Sequence, residues 1–432
     1  MYLLMVIVFV IGYLLIALEH PLKIDKAASA VLTGVICWTL LLLGESSILP
    51  MSKESHFVNE ELLHHLGEIA QILFFLMGAM AIVELIDSHN GFEVITSRIT
   101  TTNRVKLLWI ISIVTFFFSA VLDNLTTAIV MAALLKKLVA KKEDLWFFGG
   151  IVVIAANAGG AWSPIGDVTT IMLWNSGQVS AGNIVTHVFL PSIVCLIVPL
   201  LIITFTKKGT VERPQVIVDE HSDAYQVTLF EQLLIFTLGV LGLLFVPIFK
   251  SLTHLPPFMG MLFSLGGLWV VTDIMHRKKP ADDKHELSVA GVIRKVDTPS
   301  VLFFLGVLLA VASLQTAGHL SQLAQLMDNA FGNIYAINVL IGLLSSIVDN
   351  VPLVAGAIGM YPLSTYAQDH TFWKLLAYCA GTGGSALIIG SAAGVAIMGL
   401  LKIDFLWYLK KISWLALFGY FAGVVVFFLS HM

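Results

Sequence analysis

Residues 116–135 read FFFSAVLDNLTTAIVMAALL, and residues 340–359 read LIGLLSSIVDNVPLVAGAIG. Each stretch sets an Asp-Asn pair, Asp123-Asn124 and Asp349-Asn350, in the middle of an apolar run. An ionisable carboxylate at bilayer depth costs from about 2.5 to more than 10 kcal/mol, so such residues persist where a site uses them. Two of them in matching surroundings point to one site built from two copies of an ancestral unit, and a transporter is the first expectation. The plainer role for either Asp is to cap a helix that starts at the next residue.

Composition places these runs in a membrane. The chain of 432 residues is 58% hydrophobic and 12% charged, against roughly 25% charged in soluble domains. It has too little polar surface for a water-soluble fold. A net charge of −4 carries little information beside the distribution of charge. Cys37, Cys195 and Cys379 are scattered through apolar runs without disulfide or metal-ligand spacing. No cofactor, no nucleic-acid partner and no catalytic constellation is expected, so the chain is not read as an enzyme. The first segment, Tyr2 to Leu18, lacks a basic leader and is followed by Glu19-His20-Pro21 rather than a small-residue cleavage site. It reads as a retained span.

A helix needs about 20 apolar residues to cross the hydrocarbon core. Candidate spans are 2–18, 27–43, 67–87, 146–175, 184–205, 228–249, 257–275, 300–316, 372–401 and 411–430. Two segments remain, 105–140 and 334–366, each long enough for one tilted span or two short half-helices around its Asp-Asn. Charge separates these options. With both segments as re-entrant hairpins, all Lys and Arg residues except Lys53, Lys250 and Lys374 fall on one face, which the positive-inside rule makes cytoplasmic. Either segment as a span destroys that bias. The expected protein is therefore all-α and polytopic, with both termini on the outer face of the cell inner (plasma) membrane.

The same layout divides the chain into halves of opposite orientation: 1–205, a cytoplasmic linker 206–227, and 228–432. Three pairings support a duplication. Phe74-Phe75-Leu76 matches Phe303-Phe304-Leu305. Ser119-Ala-Val-Leu-Asp123-Asn124 matches Ser345-Ser-Ile-Val-Asp349-Asn350. Ala158-Gly159-Gly160 with Gly166 matches Thr382-Gly383-Gly384 with Gly390. Inverted repeats with interrupted helices and a midplane site are a recurring plan of secondary transporters. The segments 91–103 and 318–331 read as short interfacial helices linking a span to its hairpin.

Spans 146–175 and 372–401 cannot be simple lipid-facing helices. Their centres read NAGGAWSPIGDVTT (157–170) and GTGGSALIIGSAAG (381–394). Gly weakens a helix by about 1 kcal/mol and Pro by about 3 kcal/mol against Ala, and irregular backbone at membrane depth survives only where protein or a water cavity satisfies it. Breaks are expected at 157–166 and 381–391, with Gly159, Gly160, Gly383 and Gly384 as the breaking residues. The candidate ion-binding and proton-coupling residues are Asp123, Asn124, Thr126 and Thr127 at the first tip and Asp349 and Asn350 at the second. Asn157, Ser163, Asp167, Thr169, Thr170, Ser385 and Ser391 join them from the breaks. Amide, hydroxyl and carboxylate oxygens suit Na⁺ or Li⁺, and Na⁺ is placed at Asp123, Asn124, Asp349 and Asn350. Pro352 replaces Thr126 and Ser391 replaces Asp167 between the halves, so the two are not chemically equal.

The stretches SAVLDNLTTAIV, NAGGAWSPIGDVTT, SSIVDNVPLVA and GTGGSALIIGSAAG resemble the NhaD family of sodium/proton antiporters, within the ion transporter superfamily that also holds arsenite permeases and divalent-anion/sodium symporters. The resemblance covers essentially the whole chain. In the dicarboxylate branch the tips carry Ser-Asn-Thr. Here Asp123-Asn124-Leu125 and Asp349-Asn350-Val351 keep the Asn, exchange Ser for Asp and lack the Thr. The resemblance implies a scaffold with a moving transport domain, elevator-type movement, a homodimer, and Na⁺, Li⁺ and H⁺ as substrates in the lipid bilayer.

Burial of a carboxylate favours its protonated form and a bound cation favours the ionised one, so cation and proton are expected to compete, with Asp123 and Asp349 as coupling acids and Asp167 as a third member of an acidic cluster. The alternative is a permease or Na⁺-coupled symporter for a dicarboxylate or arsenite, against which stands the absence of Lys and Arg from the expected core. An ion channel fits the duplicated hairpins poorly. Glu68, Glu84 and Asp87 read as interfacial. His56, His64, His65, His221, His254, His276 and His285 read as loop residues, and His89 and His319 as equivalent positions after spans, open to a pH-sensing role.

Overall fold

The computed structural model describes residues 1–17, 19–48, 57–96, 99–214, 227–277, 279 and 287–431. Among these residues there is no strand, only one isolated antiparallel bridge between Asn103 and Thr210. His56, His221 and His285, most of the linker 206–227 and part of 91–103 lie outside the described residues.

The first half contains α1 (Tyr2–Ala17), α2 (Glu19–Leu22), α3 (Lys26–Leu43), α4 (Glu45–Ile48), α5 (Phe57–Ser88), α6 (Glu93–Thr96), α7 (Arg104–Leu122), α8 (Asn124–Leu138), α9 (Lys142–Ala161), α10 (Val168–Asn175) and α11 (Ala181–Thr206). The second contains α12 (Leu229–Thr253), α13 (Pro257–Met275), α14 (Val289–Ile293), α15 (Thr298–Thr316) and α16 (His319–Phe331). It continues with α17 (Ile334–Leu344), α18 (Asn350–Met360), α19 (Thr371–Gly383), α20 (Ala392–Leu401), α21 (Phe405–Lys411) and α22 (Ser413–Ser430). Nine helices among the described residues are long and apolar enough to cross a membrane, or ten if the bent pair α20–α21 counts as one. The protein is an all-α, multi-pass membrane protein.

Three local expectations change. The third span begins at Phe57, not 67: α5 carries His64 and His65 in a helix of 32 residues rather than in a loop. At about 1.5 Å per residue it outreaches the hydrocarbon core, so its polar first turns stand outside it. His65 is buried beside Glu61 and Glu68. Between 91 and 103 only Glu93–Thr96 is described as helical, while 99–103 runs extended toward Thr210. Its counterpart α16 is a full helix of 13 residues.

Each hairpin closes on itself. The start of α7 and the end of α8 are tied to one segment: Arg104 N donates to Gly209 O at 3.0 Å and Ala140 N to Glu212 O at 2.9 Å. That segment follows the C-terminus of α11. The second hairpin is tied near the other end of α11. There Asp369, just beyond α18, accepts from Ser180 N at 2.6 Å and Asn183 Nδ2 at 2.8 Å. The Tyr361 hydroxyl, at the end of α18, donates to Asp328 of α16 at 2.9 Å. The two hairpins therefore open toward opposite ends of a 26-residue helix.

Packing partners recur between the halves with the halves exchanged. Helix α3 lies along α15 and α13 along α5; α7 packs on α9 as α17 packs on α19; α8 meets α20 as α18 meets α10; α11 lies against α22. The close approaches recur too. A side chain at Gly159 would strike the backbone of Phe116, and one at Gly383 the backbone of Gly342. Hydroxyls bridge the same places: Ser119 Oγ donates to Ala156 O at 2.5 Å, and Ser345 Oγ to Ala380 O at 2.9 Å. These glycines sit in the last turns of α9 and α19, where they admit the hairpin arms. The interruptions follow at 162–167 and 384–391, so Asn157 and Gly381 stay helical. α9 and α19 form the centre of the molecule, with nearly every residue from Phe148 to Ala161 and from Phe372 to Gly383 buried.

Candidate ion-binding site

Two helix ends at each tip and two at each interruption leave backbone groups without intrahelical partners, and side chains supply them. Asp123 caps α8, Asp349 caps α18, Asp167 caps α10 and Ser391 caps α20. The capping role expected as the plain alternative is thus real for all three Asp residues, and what separates them is what else each carboxylate touches.

Asp167 is the centre. It is 1% exposed. Its Oδ1 accepts from Thr169 N at 2.8 Å and from the Thr169 hydroxyl at 2.7 Å. Its Oδ2 accepts from Asn124 Nδ2 at 2.6 Å. Asn350 Nδ2 reaches both oxygens at 3.3 Å. One buried carboxylate of the first half therefore holds the amides of both tips. Asn124 Nδ2 also donates to Asn157 Oδ1 at 3.1 Å, and Asn157 Nδ2 donates to Ser385 Oγ at 3.0 Å and Ser391 Oγ at 2.8 Å. The amide of Asn157, near the end of α9, thus joins the first tip to the second interruption.

Asp123 is turned away from this network. Its carboxylate accepts from Thr126 N and from the Thr126 hydroxyl, both at 2.8 Å. Its backbone has φ 88° and ψ 161°, a strained region outside the left-handed helical basin that glycine alone adopts readily. Asp349 has an ordinary φ of −47° and accepts only from Val351 N, at 3.3 Å, within its own tip. It lines a cavity with Tyr13, Glu19 and Lys26, and Lys26 Nζ stands 3.8 Å from its Oδ2. That ammonium also lies 4.6 Å from the centre of the Phe303 ring.

Of the remaining sequence candidates, Ser163 donates to Ala120 O at 2.5 Å and ties the interruption to α7. Thr170 donates to Asp167 O at 2.8 Å, a local cap. Thr127 is fully buried, and among the described residues its hydroxyl has no hydrogen-bond partner. The expected three-carboxylate cluster is not formed: among the described residues no three His, Cys, Asp or Glu side chains gather where one ion could touch them. Asp167 lies within electrostatic reach of both Asp123 and Asp349 but shares no point with the pair. The expected Na⁺ position at Asp123, Asn124, Asp349 and Asn350 is correspondingly split, since the two Asn meet at Asp167 while the two tip carboxylates face elsewhere.

Lys26 corrects the expectation that no cation enters the core. Its sequence position, next to the cap Asp25 at the start of a span, gives no sign of a partner more than 300 residues away. Nor does the sequence show that His89 meets His276, with Nε2 atoms 3.3 Å apart, while His319 stacks on Tyr2.

Comparison with known proteins agrees with this architecture. A family model described as citrate transporter matches residues 3–374. Sodium/proton antiporter 2 of Arabidopsis thaliana is 44% identical over 99% of both chains. Sodium/proton antiporter 1 of the same plant is 45% identical over 99% of this chain and 72% of its own. The Na⁺/H⁺ antiporter NhaD of Vibrio cholerae is 32% identical over 98% of this chain and 91% of its own. The chain therefore belongs to the citrate transporter family of the ion transporter superfamily, in the company of its NhaD relatives.

Proposed function

We propose that the protein is a secondary active transporter that exchanges Na⁺, and with it Li⁺, for H⁺ across the plasma membrane. The observation that carries this reading is the Asp167 carboxylate, buried and shared by the amides of Asn124 and Asn350 from two tips that enter from opposite ends. An amide that turns its N–H group toward a carboxylate presents its carbonyl oxygen after half a rotation. Asn124 and Asn350 so turned, with Asp167 and the Thr169 hydroxyl, make an oxygen cage suited to a small hard cation. A proton on Asp167 removes the charge that holds the ion, so the two compete for one position. Asp349, at the mouth of a cavity, is the second acid in the exchange. No resident cofactor is required.

Alternating access follows as an elevator movement. α7–α10 and α17–α20 form the moving block. The framework is α1, α3, α5, α12, α13 and α15, in which α3 and α15 meet at Gly34 and Gly306. The exchanged packing partners support descent of 1–205 and 228–432 from one inverted unit. The basic face is cytoplasmic, the termini lie outside, and the working form is a homodimer.

A symporter or permease for an organic anion is the second reading, and Lys26 beside Asp349 is the observation that favours it. Purified protein in liposomes with an internal pH indicator separates the two. Na⁺ and Li⁺, but not citrate, are expected to drive proton movement. Na⁺-dependent citrate uptake without proton exchange would overturn the proposal.

A further inference from the structure

Where α7, α9, α11, α21 and α22 come together, on the face that carries most of the basic residues, they leave a cleft of about 530 Å³. Its floor and walls include Arg104, Lys207, Lys410, Lys411, Trp407 and Trp414. Arg104 donates to Asp144 at 2.8 Å, so that charge is already balanced. Lys207 lies over the Phe147 ring at 5.2 Å. Lys410 and Lys411 are exposed, and among the described residues neither forms an ion pair with a carboxylate. The cleft is left with three positive charges against Glu143.

The frame around it is that of a membrane boundary. α21 turns through 116° from α20, and Trp146 fixes the elbow by donating to Leu401 O at 3.0 Å and meeting Trp407 edge-on at 5.4 Å. The same short helix that ends in Lys410 and Lys411 exposes Leu406 and Leu409, and Trp414 is exposed beside it. Exposed apolar side chains next to unpaired cations, walled by tryptophan, match the level where acyl chains meet headgroups. A water-facing anion site would have no use for that apolar rim.

We propose that this cleft binds the phosphate headgroup of an anionic phospholipid, with Lys207, Lys410 and Lys411 on the phosphate and Trp414 and Leu409 against the glycerol and upper chains. The lipid then holds α21 in the interfacial plane, and with it the elbow that follows α20. This stands apart from the exchange reading, since it concerns no residue of the ion site.

The test uses the purified full-length protein in detergent, titrated with phosphatidylglycerol, with phosphatidylcholine and with inorganic phosphate, and bound lipid counted by native mass spectrometry. Wild type is expected to retain phosphatidylglycerol and not phosphatidylcholine. Each basic residue at a membrane surface is worth about fivefold in lipid affinity, so Lys410→Gln with Lys411→Gln is expected to weaken retention about 25-fold. Lys410→Arg with Lys411→Arg is expected to keep it, and so is Lys136→Gln with Lys137→Gln on the same face. Equal loss in the 136/137 pair, unchanged retention in the 410/411 glutamine pair, equal binding of phosphatidylcholine, or displacement of lipid by millimolar inorganic phosphate would each overturn the proposal.

Discussion

At the first tip the carboxylate of Asp123 is folded back on Thr126, which gives it both an N–H and an O–H. At the second tip the corresponding residue is Pro352, which has neither. Asp349 is left with one long contact to Val351 N, a distant ammonium from Lys26, and a cavity in front of it. The dipeptide is the same at both tips, and the residue three positions on decides whether its carboxylate is occupied or available. The interruptions differ in the opposite sense: Asp167 in the first half faces both tips, and its counterpart Ser391 only accepts from Asn157 and caps α20. Each half thus has one carboxylate that is not folded back on its own tip, Asp167 against the two amides and Asp349 against its cavity, on different elements.

If that comparison is right, charge removal acts unequally. Asp167→Asn and Asp349→Asn are expected to abolish Na⁺-driven proton movement in proteoliposomes. Asp123→Asn is expected to leave most of it, because the Asn side-chain oxygen still accepts from Thr126. Equal loss at Asp123 and Asp349 would mean that the tips work as a symmetric pair, as the sequence alone leads one to expect. The amount of folded protein, read by gel filtration, separates a lost charge from a lost cap.

Pro352→Thr tests the cause directly. It offers Asp349 the hydroxyl and N–H that Asp123 has. Hydrogen bonds to charged groups are worth about 1.5–3 kcal/mol, so exchange is expected to slow by about 10- to 100-fold. Undiminished exchange in Pro352→Thr would show that the freedom of Asp349 is not what matters.

Lys26→Gln sharpens the second tip from the other side. The pair is long and partly exposed, and such pairs contribute about 1 kcal/mol or less. Removing the ammonium takes a tethered competitor away from Asp349. The concentration of Na⁺ giving half-maximal exchange is expected to fall by up to about fivefold, with the maximal rate little changed. A rise instead would make Lys26 a positioning residue for the second tip.

How far the sequence led is clear at these same residues. The hairpins, the interruptions and their pairing follow from features a sequence carries locally: a costly Asp-Asn in an apolar run, glycines and a proline where a helix should continue, and basic residues on alternate loops. The residues that the structure gathers about Asp167, namely Asn124, Asn157 and Asn350, stand out in the sequence for the same reason. Their roles were not. Whether Asp123 or Asp349 is free turns on a hydroxyl within its own tip. That both amides meet at Asp167 turns on how α10 and α18 pack. Lys26 enters through a contact between the first and last thirds of the chain. The start of α5 was missed because EELLHH reads as polar, although a helix that runs beyond the hydrocarbon core has no need of an apolar end.

The ends of the third span in each half supply the smallest test. His89 follows α5 and His319 follows α15, and the repeat makes them look equivalent. His319 lies against Tyr2, whereas His89 is fully buried against His276, with Glu231 and Lys279 paired at 2.6 Å in the same region. Burial pushes the His89 imidazole down to about 4; the Leu85 carbonyl acts against that fall, while His276 and Lys279 add to it and Glu231 opposes it. The unfolded chain takes up this proton near the ordinary value of about 6.5, and the folded one refuses it until about 4. Stability linked to His89 is therefore complete above pH 6.5 and is lost as the pH falls through 6.5 toward 4, by up to about 3 kcal/mol. The thermal midpoint of the detergent-solubilised protein should drop between pH 7.5 and 5, and His89→Gln should flatten that drop while His319→Gln leaves it in place. An equal flattening by both would restore the equivalence of the two positions. No flattening by His89→Gln would mean that the acid loss comes from elsewhere, and that the His89–His276 contact is packing without a titration behind it.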